Sequence, residues 1–214
     1  MTQAVKASIF GLLLAFATVA TAVAEYIAPS FVVLAGRSDL IVAGMIAKVS
    51  PKTFTLRVEE VLAGSERSKE IEVLRFEDWT CSFRWKPYEA GQREIAFLHK
   101  LSKKEARESG AKYGTMSAGD EGEWEIVGKE VSVQGFRVPG GREFDQGEHP
   151  GQWLPLDLVL DSIRRFRRCF SIVTDKDPWG SKILQSCSAT ELAEYRSRSY
   201  VHAYLVETAL ESGR

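Results

Sequence analysis

The apolar pattern between positions 38 and 99 constrains this chain more than any other feature. Residues 40–49 form a nearly continuous apolar run with β-branched members, which reads as a buried strand. Gly44 in its middle marks a bulge or bend of the kind that a closed barrel needs at its corners. After the turn at Ser50-Pro51-Lys52, residues 53–58 alternate strictly. Phe54, Leu56 and Val58 fall on one face and Thr53, Thr55 and Arg57 on the other, the period of a half-exposed strand that ends in residues 59–64. Residues 70–76 and 93–99 alternate again, around Ile71 and Val73 and around Ile95 and Phe97. Four strands joined by turns predict the first part of a small closed β-barrel.

Further along, residues 101–110 carry mixed charges and read as one or two solvated helical turns. Trp124, Ile126, Val131 and Val133 alternate about Gly128-Lys129 and predict a hairpin. Residues 139–153 are rich in Gly and Pro and read as a linker, or as an active loop. Leu156, Val159, Ile163, Phe166 and Phe170 then recur at helical spacing behind Pro155, with aspartates early and arginines late, predicting a helix over 155–170. Ser188 and Glu191 form a capping box that opens a second helix to about Leu210. Near the front, residues 31–36 fit either a short helix ended by Gly36 or a strand. The predicted fold is α+β and mainly β: an OB-like five-stranded barrel within residues 25–138, a linker at 139–153, and a helical extension over 154–214 that packs two helices on the barrel.

Residues 1–24 combine a short segment carrying Lys6, an apolar stretch and a terminal Ala22-Val23-Ala24. That is the pattern of a cleaved signal peptide, with an uncleaved anchor as the competing reading. Cleavage leaves no segment apolar enough to span a membrane and places the mature chain in the periplasm or outside the cell. The three cysteines, Cys81, Cys169 and Cys187, allow one internal bridge. Cys169 and Cys187 flank the connection between the two helical patterns and form the expected pair. Cys81 is then left as a buried thiol or a reactive one. A net charge of −1 speaks against duplex nucleic acid as a partner.

Catalytic motifs are absent from the sequence. His99, His149 and His202 have no second ligand at zinc-type spacing, and no metalloprotease, serine-hydrolase or dinucleotide-binding signature occurs, so no cofactor is expected. The most unusual segment is 77–85, which sets Trp79, Phe83 and Trp85 beside Arg84 in a loop. Aromatic residues with arginine are the usual content of binding hot spots. With His149 and Trp153 from the 139–153 stretch, these residues make up the candidate binding surface.

The run Ser38-Asp39-Leu40-Ile41-Val42-Ala43-Gly44, the later Val58-Glu59-Glu60-Val61-Leu62-Ala63-Gly64, Cys81, and Gly91 ahead of Ile95-Ala96-Phe97-Leu98 resemble the netrin-like superfamily of OB-fold barrels. That superfamily includes the tissue inhibitors of metalloproteinases and many secreted bacterial proteins. The resemblance implies a five-stranded barrel, with residues 124–133 completing it. Those inhibitors chelate the protease zinc through a cysteine at the mature N-terminus. Here that position reads Glu25-Tyr26-Ile27, so none of the family's functional residues carries over.

The expected function is an exported, non-enzymatic binding or adaptor module of the cell envelope, with a protein or another envelope component as partner. The alternatives are an envelope enzyme with a thiol site centred on Cys81, and a protease-inhibitor-like module lacking the zinc-chelating cysteine.

Overall fold

The computed structural model describes residues 28–78, 84–117, 121–144, 151–174 and 181–212 of the 214-residue chain. The segment expected to be a signal peptide, together with Trp79, Cys81, Phe83 and His149, lies outside the described residues.

Five strands close a barrel: β1 (Leu40–Val49), β2 (Thr53–Ala63), β3 (Glu70–Leu74), β4 (Arg93–Lys100) and β5 (Tyr113–Thr115). They pair in the order β1-β2-β3-β5-β4, and β4 returns to β1. Every pairing is antiparallel except β3 with β5, where Val73 faces Tyr113 and Leu74 faces Gly114. The OB-like barrel expected from the sequence is therefore present, but its fifth strand is not the 124–133 hairpin. Tyr113-Gly114-Thr115 completes it, a stretch too short to show a period. It follows α2 (Lys103–Ser109), the expected solvated helix, which a Ser102–Glu105 capping box opens. β2 runs on to Ala63, within the 59–64 stretch where the sequence placed its end. Register shifts bend its pairing with β1, one of them at Ala43/Gly44. A side chain at Gly44 would lie 2.5 Å from the Arg57 carbonyl, which accounts for the glycine.

β6 (Glu123–Val127) and β7 (Glu130–Val133) form the expected hairpin, which pairs with β4 through Ile95–Trp124 and Ala96–Glu123 and extends the sheet beyond the barrel. β8 (Arg142–Phe144) and β9 (Gly151–Pro155) continue it in the order β7-β9-β8. Residues 142–144 and 151–153 of the expected 139–153 linker are thus sheet. Gly151 serves packing: a Cβ there would meet the Phe144 ring at 2.4 Å and the Val133 carbonyl at 2.8 Å.

Two cores share the barrel wall. Leu40, Val42, Phe54, Leu56, Ala96 and Leu98 fill the barrel. Their sequence neighbours Ile41, Ala43, Ile95 and Phe97 point the other way and pack under the helices with Trp124, Val131 and Leu154. Burial on both faces explains the unbroken apolar run at 40–49. The helical layer comprises α1 (Phe31–Arg37), α3 (Leu156–Cys169) and α5 (Tyr200–Ser212), with α4 (Ala189–Ser197) before α5. α1 resolves the helix-or-strand ambiguity: Ser30 caps its start, and Ser38, not Gly36, caps its end. Gly36 lies inside the helix because a Cβ there would fall 2.3 Å from Ile172 Cδ1.

The expected helix over 155–170 stops at Cys169, and Phe170 opens β10 (Phe170–Thr174), which pairs with β11 (Ser181–Gln185). The single helix expected over 190–210 is two. The break falls at Arg198 and Ser199, and Ser199 Oγ accepts from the His202 N–H at 3.4 Å to cap α5. Three arginines of α3 each have a structural partner. Arg164 pairs with Glu60 of β2, Arg165 with Asp161 one turn back, and Arg167 Nη1 donates to the carbonyls of Ala35, Gly36 and Ser38.

Cys169 and Cys187 form the expected disulfide, with Cα atoms 4.5 Å apart. It closes the β10–β11 hairpin between α3 and α4. Replacing both by serine is expected to lower unfolding free energy by about 3 kcal/mol, the chain-entropy contribution of a loop of this length. Urea denaturation read by circular dichroism checks this, and an unchanged midpoint would show that hairpin packing alone holds the segment.

Candidate functional site

After β3 the chain turns through Arg75–Asp78 and comes back at Arg84 before entering β4. The return is pinned at its neck, because the Arg84 N–H donates to Asp78 Oδ1 at 2.9 Å. Asp78 and Arg84 therefore stand side by side at the barrel end.

Arg84 points inward from that neck. Its Nε donates to Glu123 Oε2 at 2.5 Å and its Nη2 to Glu94 Oε2 at 2.6 Å. Its Nη1 donates to Gln92 Oε1 at 2.9 Å and to the Lys86 carbonyl at 2.8 Å. The guanidinium also lies 4.0 Å from the ring centroids of Trp85 and Tyr88. Both carboxylates come from strand positions that face the barrel. Glu94 keeps step with Ala96 and Leu98 along β4, and Glu123 stands opposite Ala96 on β6. Tyr88 closes the cluster: its hydroxyl donates to Glu123 Oε1 at 2.8 Å and accepts from the Phe76 N–H at 2.9 Å. Its ring stacks on Phe54, and Trp85 Nε1 donates to the Glu123 carbonyl at 3.0 Å.

Two fully buried carboxylates thus share one buried cation. Burial raises the pKa of both. For Glu94 the nearby Glu123 charge adds to the rise, and the two together outweigh the pull of Arg84. Glu94 Oε1 is buried without a hydrogen-bond partner, a further reason for this carboxyl to hold a proton. Burial likewise keeps the Tyr88 phenol protonated. For Arg84 burial acts downward, but the two carboxylates outweigh it, and the guanidinium stays charged.

Above this locked cluster opens a cleft of about 370 Å³, walled by Arg75, Phe76, Asp78, Arg84, Lys86 and Tyr88. Arg75 lies over the Tyr88 ring, 4.8 Å from its centroid, and donates from Nη1 to the Ser50 carbonyl at 3.0 Å. Its Nε is buried and unpartnered. Lys86 reaches Glu125 at 2.6 Å and remains half exposed. A second cleft of about 320 Å³ shares Arg75, Phe76 and Glu77 as a common wall and crosses the β3–β5 seam at Leu74 and Gly114 toward His99.

Of the candidate surface residues, Arg84 and Trp85 meet at this barrel end, and Arg84 is only 6% exposed. Trp153 lies elsewhere, on β9, against Phe144 at 5.1 Å and Arg142 at 6.0 Å between centroids and guanidinium carbon. Glu94, Glu123, Tyr88 and Arg75 were not singled out by the sequence. The readable signal was Glu94 at the inward parity of an otherwise apolar strand.

A serine–histidine–aspartate trio also occurs, with Ser199 Oγ 2.7 Å from His202 Nδ1 and Asp161 Oδ2 3.1 Å from His202 Nε2. Its members have structural duties: Ser199 caps α5, and Asp161 is engaged by Arg165 and Arg198. The trio fastens α5 to α3. Among the described residues no group of three or more His, Cys, Asp or Glu could hold a metal ion, and no helix is long and apolar enough to cross a membrane.

The molecule is thus an OB-like barrel with a helical layer and a buried charge cluster at one barrel end. Comparison with family models, curated proteins and solved structures finds no match in any of the three.

Proposed function

We propose that this is an exported binding or adaptor module of the cell envelope, which meets a protein or another envelope component across the barrel end. The two clefts that share residues 75–77 carry this reading. They combine aromatic side chains, cations and acids over a floor that Arg84 and its four partners hold rigid, so a partner encounters a pre-organised surface. Asp78 and Arg84, the described residues on either side of the segment that holds Trp79 and Phe83 in the sequence, both line the first cleft. The N-terminal export pattern and the Cys169–Cys187 disulfide both support an oxidising compartment. The netrin-like resemblance favours binding over catalysis.

The test uses immobilised protein and an envelope extract, with captured partners identified by mass spectrometry. Phe76→Ala with Lys86→Ala removes the shared aromatic wall and one rim cation without touching Arg84. Loss of an aromatic anchor in an interface costs about 2 kcal/mol, so capture is expected to weaken more than tenfold. Equal capture by the folded double variant would place the partner on another face.

A further inference from the structure

We infer that a second site, where the end of α1 meets α3 and the barrel, binds a small organic oxyanion, either a phosphate or a carboxylate. The cleft there has a volume of about 440 Å³, and its walls include Arg37, Asp39, His99, Met116, Arg167 and Ile172. That volume lies within the range of about 300–1,000 Å³ common for small-molecule sites.

Its charge is lopsided. Arg37 and Arg167 come from different helices and open on the same space, while Asp39 is the one acid in the wall. Asp39 Oδ2 already accepts from the Lys100 N–H at 2.7 Å. Among the described residues, neither the Arg37 guanidinium nor the His99 ring has a hydrogen-bond partner or ion pair. Helix ends of this polarity ordinarily repel anions, because their last carbonyls carry partial negative charge. Arg167 removes that obstacle. Its Nη1 covers the carbonyls of Ala35, Gly36 and Ser38 at 3.2, 2.6 and 3.3 Å, which also holds the guanidinium in place. Its remaining N–H groups have no acceptor among the described residues.

A fixed guanidinium and a second, unpaired one across a cleft suit two oxygens of one oxyanion, through charge-assisted and forked hydrogen bonds. His99 also lines the cleft. This site shares His99 with the second barrel-end cleft but none of the residues of the Arg84 cluster, and it does not depend on the partner proposed there.

Titration calorimetry of the full chain at constant ionic strength, with inorganic phosphate and separately with citrate, tests the assignment. Saturable binding of one or both is expected; phosphate alone defines a phosphoryl site and citrate alone a carboxylate site. Arg37→Gln is expected to weaken binding about tenfold or more, the loss of a charged hydrogen bond. Arg37→Lys keeps the charge without the fork and should fall between. Arg37 ends a short helix and makes no contact with the barrel-end cluster, so the melting temperature without ligand checks that the variants fold. Absence of saturable binding by both anions, or equal binding by the folded Arg37→Gln protein, would overturn the inference.

Discussion

Replacing Arg84 with alanine is expected to lower unfolding free energy by about 3–5 kcal/mol, the penalty for leaving a buried charge without its partner. The side chain is 2% exposed and both carboxylates it serves are fully buried, so water cannot replace it. Its removal also leaves Gln92 Oε1 and the Lys86 carbonyl without a donor and takes a cation from between Trp85 and Tyr88. The triple variant Arg84→Met, Glu94→Gln, Glu123→Gln should recover most of the loss, because an uncharged cluster needs no counter-ion. Guanidinium denaturation of the wild type, Arg84→Ala and the triple variant separates the two terms. If Arg84→Ala costs under 1 kcal/mol, the carboxylates are neutral in the native state and the ion pairs contribute little.

The same cluster predicts a pH dependence with a definite sign. The folded-state pKa of Glu94 lies above its usual 4.5, at about 8. Between those values the unfolded chain has released a proton that the folded one keeps, so raising pH favours unfolding. The contribution is complete below pH 4.5 and is lost as pH rises through about 8. Glu94→Gln abolishes it. The stability of the wild type relative to Glu94→Gln should therefore fall steadily across that window. A difference that stays flat would show that Arg84 keeps Glu94 ionised throughout.

Trp124→Ala is expected to be as damaging, at about 3–5 kcal/mol for an aromatic ring lost from a closed core. Trp124 is fully buried and sits 4.5 Å from Phe97, 4.8 Å from Phe31 and 5.6 Å from Phe136, ring centre to ring centre. Its Nε1 donates to the Glu121 carbonyl at 2.9 Å. Phe31 begins α1, so the cavity would also loosen that helix over the barrel wall. Trp124→Phe keeps most of the volume and should cost clearly less. Denaturation midpoints with near-ultraviolet circular dichroism report both effects. A small loss for Trp124→Ala would mean that α1 is held chiefly by Arg167 and its carbonyls.

Both large effects arise where sequence reading had least to offer. The parity of Phe54 and Leu56 identified β2, and that of Ile95 and Phe97 identified β4, because strand period is local. The same parity set Glu94 with Ala96 on the face opposite Ile95 and Phe97, with nothing local to show that this face is enclosed. Only the return of β6 across β4 encloses it and brings in Glu123, 39 residues from Arg84. Arg84 itself drew attention through its aromatic neighbours, and the binding surface expected there turned out to rest on an inward-facing side chain. Trp153 carried the same aromatic signal but belongs to β9, a strand held between β7 and β8 that the glycines around it concealed.

By itself the sequence determined the apolar run at 40–49, the strand periods at 53–58, 70–76 and 93–99, the cap at Ser188, the apolar stripe of α3 and the pairing of Cys169 with Cys187. These depend on neighbours within a few residues or on the small number of cysteines. Only the tertiary structure decided that Tyr113–Thr115 closes the barrel, that residues 142–144 and 151–155 extend its sheet, and that the helix after Ser188 breaks at Ser199. It also decided that Arg84 stands between two buried carboxylates and that Arg37 and Arg167 face one cleft. Such features depend on groups far apart in the chain, and their energies appear only when closure of the barrel removes the water between them.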